Sequence, residues 1–119
     1  MIGKYLKKKY KFTPDHFKPN LPKSIELGDV AGISIDQQDN IYLFNRSKHP
    51  VIVLSQTGEL LRTWGQGVFK NPHGSHIGFD NNIYLTDNGD HTVRKFTLHG
   101  KLLLQIGIPD SSSGFMSGK

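Results

Sequence analysis

Residues 32–65, GISIDQQDNIYLFNRSKHPVIVLSQTGELLRTWG, return without a gap as residues 74–107, GSHIGFDNNIYLTDNGDHTVRKFTLHGKLLLQIG. Gly32 thus corresponds to Gly74 and Gly65 to Gly107, and 12 of the 34 aligned positions are identical. A period of roughly 40 residues is typical of propellers, solenoids and other repeat arrays. Because a single repeat does not bury its own apolar faces, its stability depends on neighbouring repeats.

Each copy of the repeat predicts four short strands separated by turns. Asp39-Asn40, Thr57-Gly58 and His99-Gly100 are the kind of residue pairs that tolerate the left-handed backbone of tight turns. The predicted strands are Val30–Ile35, Asn40–Asn45, Val51–Leu54 and Leu60–Trp64 in the first copy, and His73–Phe79, Asn82–Thr86, Thr92–Thr97 and Leu102–Ile106 in the second. No stretch keeps a helical apolar period, so we expect few helices.

Four short antiparallel strands at this period are the pattern of a propeller blade. The sequence therefore predicts an all-β fold, namely a β-propeller fragment with two four-stranded antiparallel blades. We expect a basic N-terminal arm over residues 1–28, the first blade over 29–67, the second blade over 68–107, and a loop-like, truncated tail over 108–119.

The net charge of +5 lies entirely in the N-terminal arm. Residues 1–28 hold seven lysines and two acidic side chains, whereas residues 29–119 hold eight basic and eight acidic side chains. A polybasic arm attracts phosphates or acidic lipids, but a solvated leader is the simpler interpretation, and the neutral repeats argue against a nucleic-acid partner. The sequence has no cysteine, no signal peptide and no apolar run that spans a membrane, so we expect a cytoplasmic protein.

The repeat resembles the NHL repeat of β-propellers. The residues that carry this likeness are Asn82–Asp87 (NIYLTD), Thr92–Phe96 (TVRKF) and Gly100–Leu103 (GKLL). A closer resemblance is to peptidyl-α-hydroxyglycine α-amidating lyase and its bacterial relatives. It rests on four segments: Val30–Ile33 (VAGI), Phe44–Pro50 (FNRSKHP), Asn71–Gly74 (NPHG) and Asp87–Phe96 (DNGDHTVRKF).

The resemblance implies a six-bladed propeller that holds a zinc ion on three histidines near its axis, with a calcium ion close by. Such a lyase cleaves the N–Cα bond of a peptidyl-α-hydroxyglycine, a small substrate shaped like a peptide C-terminus, and releases the peptide amide and glyoxylate. By position, His73 matches the first zinc ligand and Arg46 matches the arginine that faces the substrate. Ile33 and Ser75 match the residues whose backbone carbonyls face the calcium ion.

Simpler roles for these residues stay open. A catalytic zinc ion takes about three protein ligands, so His73 alone does not hold one tightly, and a loop histidine bonded to the backbone is the alternative. The planar fork of Arg46 suits a carboxylate or an oxyanion, and a surface ion pair with Asp29 or Asp87 is the alternative. The segment that contains Asp87 and Asp90 is typical of a turn, and a catalytic pair of carboxylates is the less favoured interpretation.

Two blades allow three interpretations. In the first, the chain is the N-terminal part of a lyase-like metalloenzyme and is inactive alone, because later blades supply the remaining ligands. In the second, the chain is a propeller module that binds protein or RNA without catalysis. In the third, three copies close a six-bladed ring with three copies of His73 around the axis. In each case we expect open sheet faces that promote association; the candidates are Val51, Val53, Leu60, Val93, Phe96, Leu102 and Leu104.

Overall fold

A computed structural model describes residues 18–111 of the chain. These residues form eight strands and no helix, and hence no helix with the length and apolarity to cross a membrane. The strands are β1 (Asp29–Ile35), β2 (Ile41–Arg46), β3 (Val51–Leu54), β4 (Leu60–Trp64), β5 (Pro72–Ile77), β6 (Ile83–Asp87), β7 (Thr92–Phe96) and β8 (Leu102–Ile106). Most of the predicted basic arm and of the predicted tail lies outside the described residues.

The eight strands form two antiparallel sheets. Sheet 1 has the order β1-β2-β3-β4 and sheet 2 the order β5-β6-β7-β8. The predicted all-β fold class is confirmed, and the two sheets are consistent with two propeller blades. The innermost strands β1 and β5 lie against each other. They approach so closely that a Cβ atom added to Gly32 would lie 2.9 Å from the backbone nitrogen of Ser75.

The fifth strand is shorter at its end than predicted. It ends at Ile77, because Gly78 and Asn82 close a turn in which the Gly78 N–H donates to the Asn82 carbonyl at 3.0 Å. Asn81 occupies the left-handed region in this turn, with a φ of 61°. Phe79, which extended the predicted strand because it is apolar, lies on the turn and is fully exposed.

The main core lies between the two sheets. Sheet 1 contributes Tyr42, Phe44, Val51 and Val53, and sheet 2 contributes Ile83, Leu85 and Phe96. Trp64 packs against this core, with its ring centroid 5.0 Å from that of Phe96. The prediction that Val51, Val53 and Phe96 lie on open faces is therefore wrong, because each sheet covers the other at these positions.

The carbonyl of Leu98, in the β7–β8 turn, ties the outer strands of the two sheets together. It accepts hydrogen bonds from Trp64 Nε1 at 3.2 Å and from Arg62 Nη2 at 2.9 Å. Arg62 also donates to the hydroxyl of Tyr42 at 2.7 Å, and that hydroxyl donates to Asp36 at 3.0 Å. This chain of hydrogen bonds satisfies the buried phenol and fixes how sheet 2 sits on sheet 1.

The opposite face of sheet 1, which we call its back face, is covered by a short segment of the N-terminal region. Residues 20–25, here named the strap, place Leu21 and Ile25 against a second apolar cluster. That cluster comprises Leu43, Ile52 and Leu54, flanked by Ile41 and Leu60. Leu60 is therefore covered by the strap rather than left on an open face.

The corresponding outward side of sheet 2, which we call its open face, has no cover among residues 18–111. Strand pairing and alternation place Tyr84, Thr86, Val93, Lys95, Leu104 and Ile106 on this side. Leu104 is 50% exposed and Leu102, at the neighbouring bulge, is 49% exposed. The prediction of exposed apolar side chains is confirmed for these two leucines.

Candidate functional site

The inner strands carry β-bulges at equivalent positions of the repeat. In β5 the pairing register shifts between Pro72 and Gly74, so His73 is the extra residue. In β1 the shift falls around Ala31, which aligns with His73 when the two copies are superposed in sequence. A bulge redirects a side chain away from the regular alternation and often does so beside an active site. The exposed His73 side chain is therefore presented by a local distortion that the repeat itself builds.

Arg46 lies next to this bulge. It is the exposed last residue of β2, and its Nε–H donates a hydrogen bond to the carbonyl of Pro72 at 3.0 Å. Pro72 precedes His73, so the structure brings the two candidate residues together at one end of the sheets. Among residues 18–111, Arg46 forms no ion pair with Asp29 or Asp87. The alternative role predicted for Arg46 as a partner of those carboxylates is therefore wrong.

A buried asparagine positions Arg46. Asn45 accepts a hydrogen bond from the Gly28 N–H at 3.0 Å and donates to the carbonyls of His49 at 2.8 Å and Pro50 at 3.1 Å. Its amide therefore closes the loop that follows β2 and joins it to the segment that enters β1. Because Asn45 is fully buried, these bonds fix the backbone from which Arg46 extends.

Asp87 does the same for the second copy, at the position equivalent to Asn45. Its carboxylate accepts four backbone N–H groups, from Lys70 at 2.7 Å, Asn71 at 2.9 Å, Gly89 at 2.8 Å and Asp90 at 3.2 Å. Burial disfavours the carboxylate, but these hydrogen bonds outweigh it and lower the pKa of Asp87 below its ordinary value. The turn predicted for Asp87 and Asp90 is confirmed, and it holds the residues that lead into the His73 bulge.

Arg94 neutralises this buried turn. Its Nη2 lies 2.7 Å from a carboxylate oxygen of Asp90, and its Nη1 lies 3.8 Å from Asp87. The guanidinium also lies 5.8 Å from the ring centroid of Phe69. Both carboxylates are thus already engaged by a buried cation and by the backbone. This arrangement suits a structural role rather than acid–base chemistry.

A cleft of about 370 Å³ adjoins Arg46 on the side of the strap. Its lining includes the cations Lys23, Arg46 and Lys48, with Glu26 as the counter-charge. The excess of positive charge favours an anionic ligand such as a carboxylate. Lys23 and Lys48 were not among the site residues predicted from the sequence. The signal for Lys48 was its place two residues after Arg46, whereas nothing in the sequence indicated that Lys23 folds back onto β2.

The described residues do not complete a metal site. Among residues 18–111, no three His, Asp or Glu side chains lie close enough together to hold a metal ion. His73 supplies one imidazole, which is a suitable zinc ligand but not a site. Ile33 and Ser75 lie within the adjacent inner strands β1 and β5. Their role as calcium ligands, like that of His73 toward zinc, stays a prediction.

Two blade-like sheets, with a histidine and an arginine at one end of the inner strands, define the class of an all-β repeat protein with a candidate anion site. No family model matches the chain. It is 26% identical over 99 residues to the peptidylglycine alpha-amidating monooxygenase of Rattus norvegicus, covering 62% of this chain and 10% of that protein. It is 26% identical over 102 residues to the peptidyl-alpha-hydroxyglycine alpha-amidating lyase 1 of Drosophila melanogaster, covering 65% and 19%.

A third relative is the probable peptidyl-alpha-hydroxyglycine alpha-amidating lyase of Caenorhabditis elegans, with 23% identity over 108 residues, 71% of this chain and 31% of that protein. The chain therefore spans between about a tenth and a third of the length of these relatives. They are distant homologues, and at this low identity their similarity supports a relationship between the chain and the family of amidating enzymes.

Proposed function

We propose that the chain forms two NHL-type blades of a lyase-like enzyme that cleaves the N–Cα bond of a peptidyl-α-hydroxyglycine, giving the peptide amide and glyoxylate. The observation that carries this proposal is the hydrogen bond from Arg46 to the Pro72 carbonyl, which holds the arginine beside the bulged His73. The distant homology to amidating lyases supports it, and so does the positively charged cleft next to Arg46. The absence of cysteine supports action in the reducing cytoplasm.

Arg46 binds the substrate carboxylate. Its Nε–H is occupied by Pro72, which orients the guanidinium and leaves the terminal nitrogens as the donors for a ligand. A carboxylate accepts two parallel hydrogen bonds from such a fork. A hydrogen bond to a charged group contributes about 1.5–3 kcal/mol, which corresponds to a factor of roughly ten to a hundred in binding. Lys23 and Lys48 line the same cleft and attract the anion.

His73 would be one of the imidazoles that hold a zinc ion. Since the described residues offer no second and third ligand near it, the other ligands come from residues outside this range. When bound, the metal supplies Lewis acidity toward a substrate oxygen. The backbone carbonyls of Ile33 and Ser75, on the adjacent inner strands, would be ligands of a calcium ion. Further blades, or self-association of the chain, close the ring around these groups.

The test is an assay of glyoxylate release from a peptidyl-α-hydroxyglycine by the full-length product of the coding sequence. We expect Arg46→Ala to lower kcat/KM by roughly ten- to a hundredfold and Arg46→Lys to restore only part of it, because lysine lacks the fork. His73→Ala should lose both activity and retained zinc, measured by elemental analysis. His76→Ala, which removes an exposed histidine of the same strand, is the matched control and should change neither. Wild-type activity in His73→Ala would refute the assignment.

A binding module without catalysis is the second candidate, and the cations of the cleft favour it. In that case the full-length protein releases no glyoxylate but binds an RNA oligonucleotide in a salt-dependent manner. Removal of Lys7, Lys8 and Lys9, which lie outside the described residues, should then weaken this binding. Binding that ignores both salt and these lysines would exclude this candidate.

A further inference from the structure

Because of the sequence repeat, the two outer surfaces of the pair of sheets are complementary to each other. Within the chain, sheet 2 packs onto sheet 1 through Ile83, Leu85 and Phe96. The equivalent positions of the first copy, which form part of the back face of sheet 1, are Ile41, Leu43 and Leu54. The back face of sheet 1 therefore presents the same strand positions, again apolar, that sheet 2 uses to bind sheet 1.

The open face of sheet 2 resembles, in turn, the side of sheet 1 on which sheet 2 packs. Its residues Tyr84 and Val93 are the repeat equivalents of Tyr42 and Val51, which sheet 2 buries on sheet 1. Lys95 replaces a valine there, but it is already paired with Asp80 at 2.9 Å. The back face of sheet 1 in a second copy would therefore contact, on this open face, the same kind of surface that sheet 2 contacts on sheet 1 within one chain.

Apolar side chains are left exposed at both ends of the pair. On the back face, Ile33 is 61% exposed and Ile35 is 58% exposed. On the open face, Leu104 is 50% and Ile106 is 58% exposed. Ile77, the repeat equivalent of Ile35, is partly buried in the core between the sheets. Exposed apolar patches of this kind mark interaction surfaces.

The strap covers only part of the back face and is held by few contacts. Its hydrogen bonds to sheet 1 come from Asn20, whose N–H donates to the Gly58 carbonyl at 2.8 Å and whose side-chain amide donates to Glu59 at 3.2 Å. Its apolar contacts are those of Leu21 and Ile25, both only partly buried. Segments with so few buried contacts open locally at low free-energy cost.

From these observations we infer that the strap and a second copy of this chain compete for the back face of sheet 1. When the strap lifts, the open face of sheet 2 of one copy binds the back face of sheet 1 of the next, and the contact repeats the one between sheets 1 and 2. The association is head-to-tail, so it either closes into a ring or grows as a chain. This inference goes beyond the lyase function and does not depend on it.

The first test weakens the strap in the full chain. We expect Leu21→Ser/Ile25→Ser to strengthen self-association at least tenfold in sedimentation velocity, with an unchanged far-ultraviolet circular dichroism spectrum. Lys23→Ser, in the exposed turn of the strap, is the matched control and should leave the mass distribution of the wild type unchanged. A double variant that keeps its sheet signal and remains as monomeric as the wild type would overturn the inference.

A mixing experiment tests the head-to-tail geometry. In the strap-weakened background, Ile106→Asp blocks the open face of sheet 2 and Ile35→Asp blocks the back face of sheet 1. Each variant should be monomeric alone, and the two together should form a one-to-one complex. Self-association of either variant would show that the contact is not head-to-tail, and failure of the pair to combine would show that the two faces do not bind each other.

An engineered disulfide provides a test that does not depend on whether the strap-weakened variant folds. Asn20 and Glu59 face each other in an isolated β-bridge, and the chain has no cysteine, so Asn20→Cys/Glu59→Cys pins the strap with a single disulfide. We expect reduction of this disulfide to increase self-association at least fivefold at the same protein concentration. Equal masses before and after reduction, at concentrations where the wild type associates, would overturn the inference, whereas absence of lyase activity would leave it intact.

Discussion

The buried carboxylate of Asp87 offers the sharpest test of how the candidate site is held in place. In Asp87→Ala, four backbone N–H groups lose their acceptor and Arg94 keeps only Asp90 as a charged partner at 2.7 Å. Removal of one member of a buried ion pair costs about 3–5 kcal/mol. Since Asp90 remains and water reaches the exposed Lys70, we expect the lower end, about 3 kcal/mol of the free energy of unfolding.

Asp87→Asn should lose about half as much, because an asparagine oxygen keeps one acceptor for the same loop. Asn45, the equivalent residue of sheet 1, already performs this function with its amide. The substitution also tests the charge. The pKa of Asp87 is lowered in the folded state, so its contribution to stability is complete above the ordinary value of 3.8 and is lost as the pH falls through the folded pKa. Asp87→Asn should therefore flatten the loss of stability in acid.

The assay is urea denaturation followed by the fluorescence of Trp64, which is the single tryptophan and contacts the core between the sheets. Asp110→Asn is the matched control, since it removes the exposed ion pair with Lys70 at 2.8 Å while asparagine tolerates the φ of 63° at this position, and it should change the stability by less than about 0.5 kcal/mol. An Asp87→Ala variant within about 0.5 kcal/mol of the wild type would refute the anchoring role.

Two further predictions concern the contact between the sheets. Gly32→Ala should lower the free energy of unfolding by about 1–3 kcal/mol, because the added methyl meets Ser75 at 2.9 Å; the same urea titration measures it, and an unchanged midpoint would contradict the close approach of the inner strands. Burial raises the pKa of Tyr42 to about 12, with Arg62 opposing and Asp36 adding to the shift. Its neutral form therefore stabilises the fold fully below pH 10, and this contribution is lost between pH 10 and 12. Alkaline unfolding curves should show this loss in the wild type, and Tyr42→Phe should abolish it.

Much of the fold was predictable from the sequence because the two copies of the repeat report on each other. Alternation and turn residues located the strands closely, and the largest difference is the early end of β5 at Ile77. Alternation tells which side chains share a face, but it does not tell which face is covered. Val51, Val53 and Phe96 were therefore assigned to open faces, although the packing of one sheet on the other buries them.

The candidate site was less predictable than the strands. The resemblance selected His73 and Arg46, but a bulge has no composition of its own, and the distortion that presents His73 became visible only in the pairing register. The contact of Arg46 with a backbone carbonyl was equally hidden, because any residue offers a carbonyl. Leu21 and Ile25 belong to no repeat, so nothing in the sequence indicated that they cover the back face of sheet 1.

The shared bulge has a consequence for how a protein of this design acquires chemistry. The pairing register shifts at Ala31 in the first copy and at His73 in the second. Each repeat therefore has one bulged position, and the bulge does not depend on which of these two residues occupies it. Because the extra residue of a bulge is not part of the regular strand pairing, a substitution at this position changes a side chain without removing a residue pair of the sheet. Repeats of this kind are able to diversify in function while their architecture stays constant.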